Sequence, residues 1–170
     1  MSHAHLETKP SWPFVGWPIH FADRRLGYVW LVDPDVLIFH ATVTQGTAES
    51  ATLLHDTVDA AWKLNRDAFT RAGGVALLVD ARSLTSYTTE GRQRYAERVR
   101  TRPRGHVRRV VVVVPQDRLL RMAAEALGLI AQLAGGSSME VLRDPKEALE
   151  MLGVIAPAPG DLSRLPLMVR

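Results

Sequence analysis

The 170-residue chain has no cysteine, which excludes disulfide stapling, thiolate-ligated zinc and thiol chemistry together. Lysine is almost missing as well: of 21 basic side chains only those at 9, 63 and 146 are lysine, so arginine carries the positive charge. Long apolar runs are also lacking. The greasiest stretch, from Leu119 onward, is interrupted by Arg121, Glu125 and Gln132, whereas a membrane-spanning helix needs about 20 consecutive apolar residues. The opening MSHAHLETKPSWPFVGWP has neither the basic start nor the apolar block of a secretory signal. These absences predict a soluble, cytoplasmic protein without a membrane span.

The signatures of common enzyme classes are missing too. There is no P-loop, no dinucleotide fingerprint and no G-x-S-x-G elbow around Ser137-Ser138. Histidines stand at 3, 5, 20, 40, 55 and 106 without any metal-ligand spacing. His55 and Asp56 are adjacent on a helix and point in different directions, so they do not converge with His40. Asp56 and Asp59 share a helix with no cleft implied. No metal, no cofactor and no enzymatic activity are expected.

What the chain does have is 46% hydrophobic residues, enough for one good core at this length. Pro10, Pro13 and Pro18 keep the first 22 residues out of regular helix or central strand, while Trp12, Phe14 and Trp17 are costly to leave in water. That N-terminal arm should lie against its own domain or a partner. The domain proper spans 23–153. A tail, 154–170, is marked by Pro157, Pro159, Gly160 and Pro166.

Leu26 to Val32 and Val36 to Val43 read as an antiparallel pair closed by Asp33-Pro34-Asp35. Thr47 caps a long helix to about Ala72, with Ala51, Leu54, Val58, Ala61, Trp62 and Phe69 at helical spacing and Gly73-Gly74 as its stop. Val75 to Val79 and Val107 to Val114 have the β-branched character of strands covered on both faces. Between them a helix runs from about Thr89 to Arg102. Another starts at Asp117 and stops at Gly135-Gly136, Met139 to Leu142 is a short strand, and Asp144-Pro145-Lys146-Glu147 opens the last helix. The fold class is α/β, a mixed sheet flanked by helices in the order β-β-α-β-α-β-α-β-α, with parallel pairing late in the chain.

Charge is uneven. Residues 82–121 hold 11 arginines against Glu90, Glu97 and Asp117, although the whole chain is only +3. The stretch from Gly91 to Arg109 places Arg94, Arg98 and Arg102 on one helical stripe, with Glu90 able to pair with Arg94 at i,i+4 and Tyr95 and Val99 left for the core. With no helix-turn-helix, aromatic RNA-binding motif or zinc finger beside it, this face points to an acidic protein partner rather than nucleic acid. The helix from Asp117 is apolar around much of its circumference. That excess suits a neighbouring helix, a second copy of the chain or an apolar ligand.

The densest polar feature is VDARSLTSYTTEG, Val79 to Gly91, which packs Ser83, Thr85, Ser86, Tyr87, Thr88 and Thr89 into seven positions before a helix. Thr88 or Thr89 as a helix cap accounts for the hydroxyls at their simplest. A phosphate at a helix N-terminus, near Arg92 and Arg94, is favoured by the free N–H groups there. Direct ligand contact is a third reading.

This stretch, within that element order, resembles the STAS superfamily, the domain of bacterial anti-sigma-factor antagonists. Its motif runs Asp, Leu, Ser, Gly, apolar, two variable residues, apolar, Asp, Ser, Ser, Gly. Asp80 falls on the first Asp, Leu84 and Tyr87 on the apolar positions, Gly91 on the last Gly and Thr89 on the phosphorylatable serine. Thr88 stands where the family has aspartate, and Glu90 replaces the residue after the phosphorylated serine. A nearer likeness is to the SpoIIAA-like (STAS/SEC14) branch, with the pattern VDxRxLTSYxxEGRxxYAE, over about residues 26–152.

The resemblance implies a non-enzymatic regulatory module of a bacterial protein, with Thr89, Thr88 and Ser86 as phosphorylation candidates. Tyr87, Glu90, Arg92, Arg94 and Arg98 would meet a protein partner, such as an anti-sigma factor or kinase. The SEC14-like alternative is a carrier or sensor of a small apolar or anionic ligand held between helices. A homodimer through the apolar helix or the Trp-bearing arm is a further expectation.

Overall fold

The computed structural model describes residues 9–32, 35–133 and 137–156. His3, His5, the Asp33-Pro34 half of the expected turn, the Gly135-Gly136 stop and the tail from Pro157 lie outside the described residues, as do the side chains of Leu119, Leu120, Leu127, Ile130 and Leu133.

The strands are β1 (Phe21–Asp23), β2 (Gly27–Val32), β3 (Val36–Ala41), β4 (Gln45–Gly46), β5 (Val75–Asp80), β6 (Ser86–Tyr87), β7 (Val107–Val113) and β8 (Ser138–Leu142). The helices are α1 (Ala48–Leu64), α2 (Arg66–Arg71), α3 (Thr89–Thr101), α4 (Arg118–Leu133) and α5 (Pro145–Met151). Six strands form one sheet in the order β1-β2-β3-β5-β7-β8. Pairing is antiparallel from β1 to β3 and parallel from β3 to β8. The expected mixed α/β sheet is therefore present.

Every residue of β2 and β3 is buried, because both sheet faces are covered and each face takes alternate side chains. On one face Val29, Leu37, Phe39, Leu77 and Val112 pack with Leu54, Val58, Ala61 and Phe69 of α1 and α2. On the other, Trp30, Ile38, Leu78 and Val111 pack with Phe14 of the arm and with Ala148 and Leu149 of α5. The arm thus lies on its own sheet: Phe14 stacks on Trp30 with centroids 5.2 Å apart, Trp17 meets both edge-on, and Trp30 Nε1 donates to the Pro18 carbonyl at 2.7 Å.

Three details depart from expectation. The long first helix breaks at Asn65, whose side chain donates to the Ala61 carbonyl alongside its own backbone N–H. Asparagine competes with the helical ladder in this way, so α2 begins afresh. The short strands β1, β4 and β6 carried no periodicity of their own; β4 and β6 pair in parallel as a separate ribbon, Gln45 to Ser86 and Gly46 to Tyr87. Arg94 pairs with Glu97 at 2.9 Å, not with Glu90. Among the described residues no helix is long and apolar enough to cross a membrane.

Candidate functional site

Thr47 starts α1 with a reciprocal cap, its Oγ1 accepting from Ser50 N while Ser50 Oγ accepts from Thr47 N. The chain before it is fixed by the loop after β5. Thr85 and Ser86 both donate backbone N–H to the Thr44 carbonyl, and Thr88 donates to the Gly46 carbonyl. Gly91 completes the contact, since a Cβ there would stand 2.8 Å from the Gly46 oxygen. A side chain at 91 would push α3 off the ribbon.

Within this frame the hydroxyl cluster divides its labour. Thr88 is the helix cap, its Oγ1 accepting from Gly91 N at 2.9 Å. Thr89 is the first helical residue, exposed, and its Oγ1 accepts only a 3.3 Å bond from Arg92. Thr85 Oγ1 is spent on the Thr44 carbonyl. Ser86 is exposed and Glu90 projects into solvent. Tyr87 turns inward, its ring so close to Gly46 that a Cβ there would meet it at 2.5 Å.

The residues expected to form one partner surface therefore part company. Tyr87 and Arg92 border a pocket. Arg94 lines a separate groove with Asp23, Arg25 and Asp56. Arg98 bridges Asp56 and Asp59 of α1 at 2.6 and 2.9 Å, so the two carboxylates that implied no cleft hold α3 against α1. Arg102 donates to His55 Nδ1. Since a guanidinium only donates, the His55 proton sits on Nε2, which is buried without a partner. Burial first, then the nearby Arg102 and Arg98 charges, push the His55 pKa down to about 2.

The pocket Tyr87 faces has a volume of about 320 Å³, within the range of small-molecule sites. Its floor is the carboxyl ends of β5 and β7, Val79, Ala81, Val112 and Val114, and Leu54 of α1 also lines it. Ala123 and Ala124 of α4 and Met139 of β8 close the far side; Leu84, Thr85 and Ser86 form the near rim. Polar side chains are few: Thr85, Ser86, Tyr87, Tyr95, Arg92 and, at the head of α4, Asp117. Burial raises the pKa of both phenols, and their proximity raises Tyr87 further.

A second constellation went unread in the sequence. His40 and Asp80 are register partners on β3 and β5, and His40 Nδ1 meets Asp80 Oδ2 at 2.8 Å with both side chains buried. Arg82 closes on the same carboxylate through Nε at 2.8 Å and Nη2 at 2.9 Å, and Nη2 also donates to the Trp12 carbonyl at 2.6 Å. Burial alone would raise the Asp80 pKa; hydrogen bonds from Arg82 and His40 outweigh it and hold the carboxyl below its ordinary value. His40 Nε2 faces Ser11, with both Ser11 N and Oγ at 3.2 Å.

The connectivity is that of a Ser–His–Asp relay. His40 Nε2 lies 3.2 Å from both the backbone N–H and the hydroxyl of Ser11, so the cluster ties the arm to the sheet. The signal was available in Asp80 and Arg82 of the quoted pattern, but their partner lies 40 residues away. Among the described residues no group of His, Asp and Glu is disposed to hold a metal.

This mixed sheet, with α1 and α2 on one face and α5 with the arm on the other, has a SpoIIAA-like fold. A solved structure with that fold matches the chain: an uncharacterised protein of the DUF3478 family from Shewanella loihica PV-4, 17% identical, covering 73% of this chain and 90% of that one with a TM-score of 0.53. No protein-family model matches the chain, and no curated protein matches it.

Proposed function

We propose that the protein is a non-enzymatic binding module that holds a small, largely apolar molecule between α3, α4 and the sheet. The observation that carries this reading is the pocket itself, about 320 Å³ and floored by valines and alanines. It lies outside the carboxyl ends of parallel strands, where open α/β sheets take their ligands. Apolar cavities of even half this size take up benzene.

The test is intact mass under native and then denaturing conditions, on protein purified from its own host. The expected result is an added mass lost on denaturation. In recombinant protein, benzene should be taken up and Ala124→Phe, which fills the pocket, should abolish uptake while leaving the circular dichroism unchanged. A bare native mass together with no uptake of benzene overturns the reading.

A second reading has its own observation. Thr88 serves as the cap, so the Thr89 hydroxyl is left outward at the first turn of α3 beside Arg92. This supports a regulatory module that docks a protein partner, such as an anti-sigma factor or kinase, through the loop from Ser86 to Arg92 and is switched by phosphate on Thr89. A phosphothreonine adds about −1.5 to −2 charge. Peptide mapping across Ala81 to Arg92 should find a phosphate on Thr89; a phosphate on Thr88, or none in protein from the host, sinks it.

A further inference from the structure

The pocket's polar side chains are Thr85, Ser86, Tyr87, Arg92, Tyr95 and Asp117, and all but Asp117 carry a hydrogen-bond donor. Tyr87 and Tyr95 both line it, and neither hydroxyl has a hydrogen-bond partner among the described residues. Nor is either sealed away: the enclosed side-chain atoms without a partner include His55 Nε2 and His106 Nδ1 but no phenol. A phenol left without a protein partner yet open to a cavity is satisfied by whatever fills that cavity. Arg92, at the rim, spends one bond on Thr89 and keeps the rest of its donor fork. Asp117 is the one carboxylate in the lining, at the head of α4, and it already has an interaction of its own.

We infer that Tyr87 and Tyr95 are paired hydrogen-bond donors for the oxygen of a small acyl ligand, a carboxylic acid whose apolar body fills the pocket and whose carboxylate lies toward Arg92. This deepens, and rests on, the proposal that the pocket holds an apolar molecule. The volume sets the size. At roughly 30 Å³ per water it corresponds to about ten water-sized units, the scale of an eight-carbon acid. The phenols are suited to the role because burial raises their pKa, so they remain protonated donors throughout the physiological range. Apolar walls with a few convergent donors are the usual composition of such a site, the walls supplying affinity and the donors orientation.

The experiment uses the full chain and two probes, sodium octanoate and benzene, titrated by calorimetry and by backbone amide NMR. Octanoate should bind with shifts at Ala81, Tyr87, Tyr95 and Ala124. Tyr87→Phe and Tyr95→Phe should each weaken octanoate about tenfold or more, the worth of a hydrogen bond to a charged group, without weakening benzene, since the ring that lines the pocket is kept. Neither variant should lower the melting temperature, because among the described residues the hydroxyl removed makes no hydrogen bond. Benzene uptake without octanoate binding, or octanoate binding indifferent to both variants, overturns the acyl assignment and leaves the apolar pocket standing. Uptake of neither probe overturns both. A fall in melting temperature in either Phe variant shows an internal partner for that hydroxyl and also defeats the inference.

Discussion

His40 Nδ1 and Asp80 Oδ2 lie 2.8 Å apart across neighbouring parallel strands, both side chains buried. Because the ionised carboxylate can only accept, the imidazole proton is on Nδ1 and its Nε2 lone pair faces the arm. With Arg82 on the other side of the carboxylate and on the Trp12 carbonyl, one buried anion ties residues 11 and 12 to the ends of β3 and β5. That tie holds Phe14 and Trp17 over Trp30.

Asp80→Ala should be severely destabilising, by about 3 kcal/mol, because removing one member of a buried pair strands the others. Urea denaturation is the measure, and the tryptophan emission of the folded variant should shift red as the arm loosens. A loss within 0.5 kcal/mol of zero would show that the arm is held by its aromatics alone.

Stability should fall with acid from near pH 6.5. His55 is neutral in the fold, with its pKa depressed to about 2, whereas in the unfolded chain it titrates near 6.5. The unfolded state therefore binds one more proton between those values. This contribution is fully present above pH 6.5 and is lost by about 1.4 kcal/mol per unit as pH falls below it. Denaturation midpoints compared at pH 7.5, 6 and 5 should show this slope in the native chain and a smaller one in His55→Gln, where His106, also lowered by burial, still contributes.

Asp80 has the carboxylate sign. Its folded pKa is lowered, so its contribution is present above the unfolded value near 3.9 and disappears as pH falls through the folded one. Arm release as pH falls below the unfolded carboxylate value, followed by tryptophan fluorescence, should be absent from Asp80→Asn.

Thr88→Ala should cost about 1 kcal/mol as a lost N-cap, and Thr89→Ala should fall within 0.5 kcal/mol of zero. Thermal denaturation of the two variants separates them. Equal losses would contradict the division of labour between the two hydroxyls.

Gly91→Ala should destabilise by about 1 to 3 kcal/mol, although alanine is the better helix former by up to about 1 kcal/mol. The added Cβ would lie 2.8 Å from the Gly46 oxygen and 3.0 Å from Thr47 C, and neither backbone atom can yield as a side chain would. Amide shifts should concentrate at residues 44–47 and 88–92.

Much of the architecture was legible because it rests on local rules. The uninterrupted valines of β7 announce a strand covered on both faces. Thr47 and Asp144 announce helix starts, and both side chains accept the capping bonds expected of them. Asn65 ended α1 early because a side chain-to-backbone bond competed with the ladder, an effect too small to override periodicity on paper. The ribbon of β4 and β6 was invisible, since two residues have no period.

The pattern from Val79 to Gly91 could be quoted from the sequence, but its residues acquire separate purposes only in three dimensions. Asp80 and Arg82 bind the arm, Gly91 admits the Gly46 carbonyl, Thr88 caps and Tyr87 enters the pocket. Local sequence determined which residues form strands, helices and caps, because hydrophobic period and backbone hydrogen bonding act over a few positions. Only the tertiary structure decided what meets across the sheet. The Ser11, His40 and Asp80 cluster and the pocket beneath α4 join segments tens of residues apart, and the contacts that bring them together depend on strand register and helix docking.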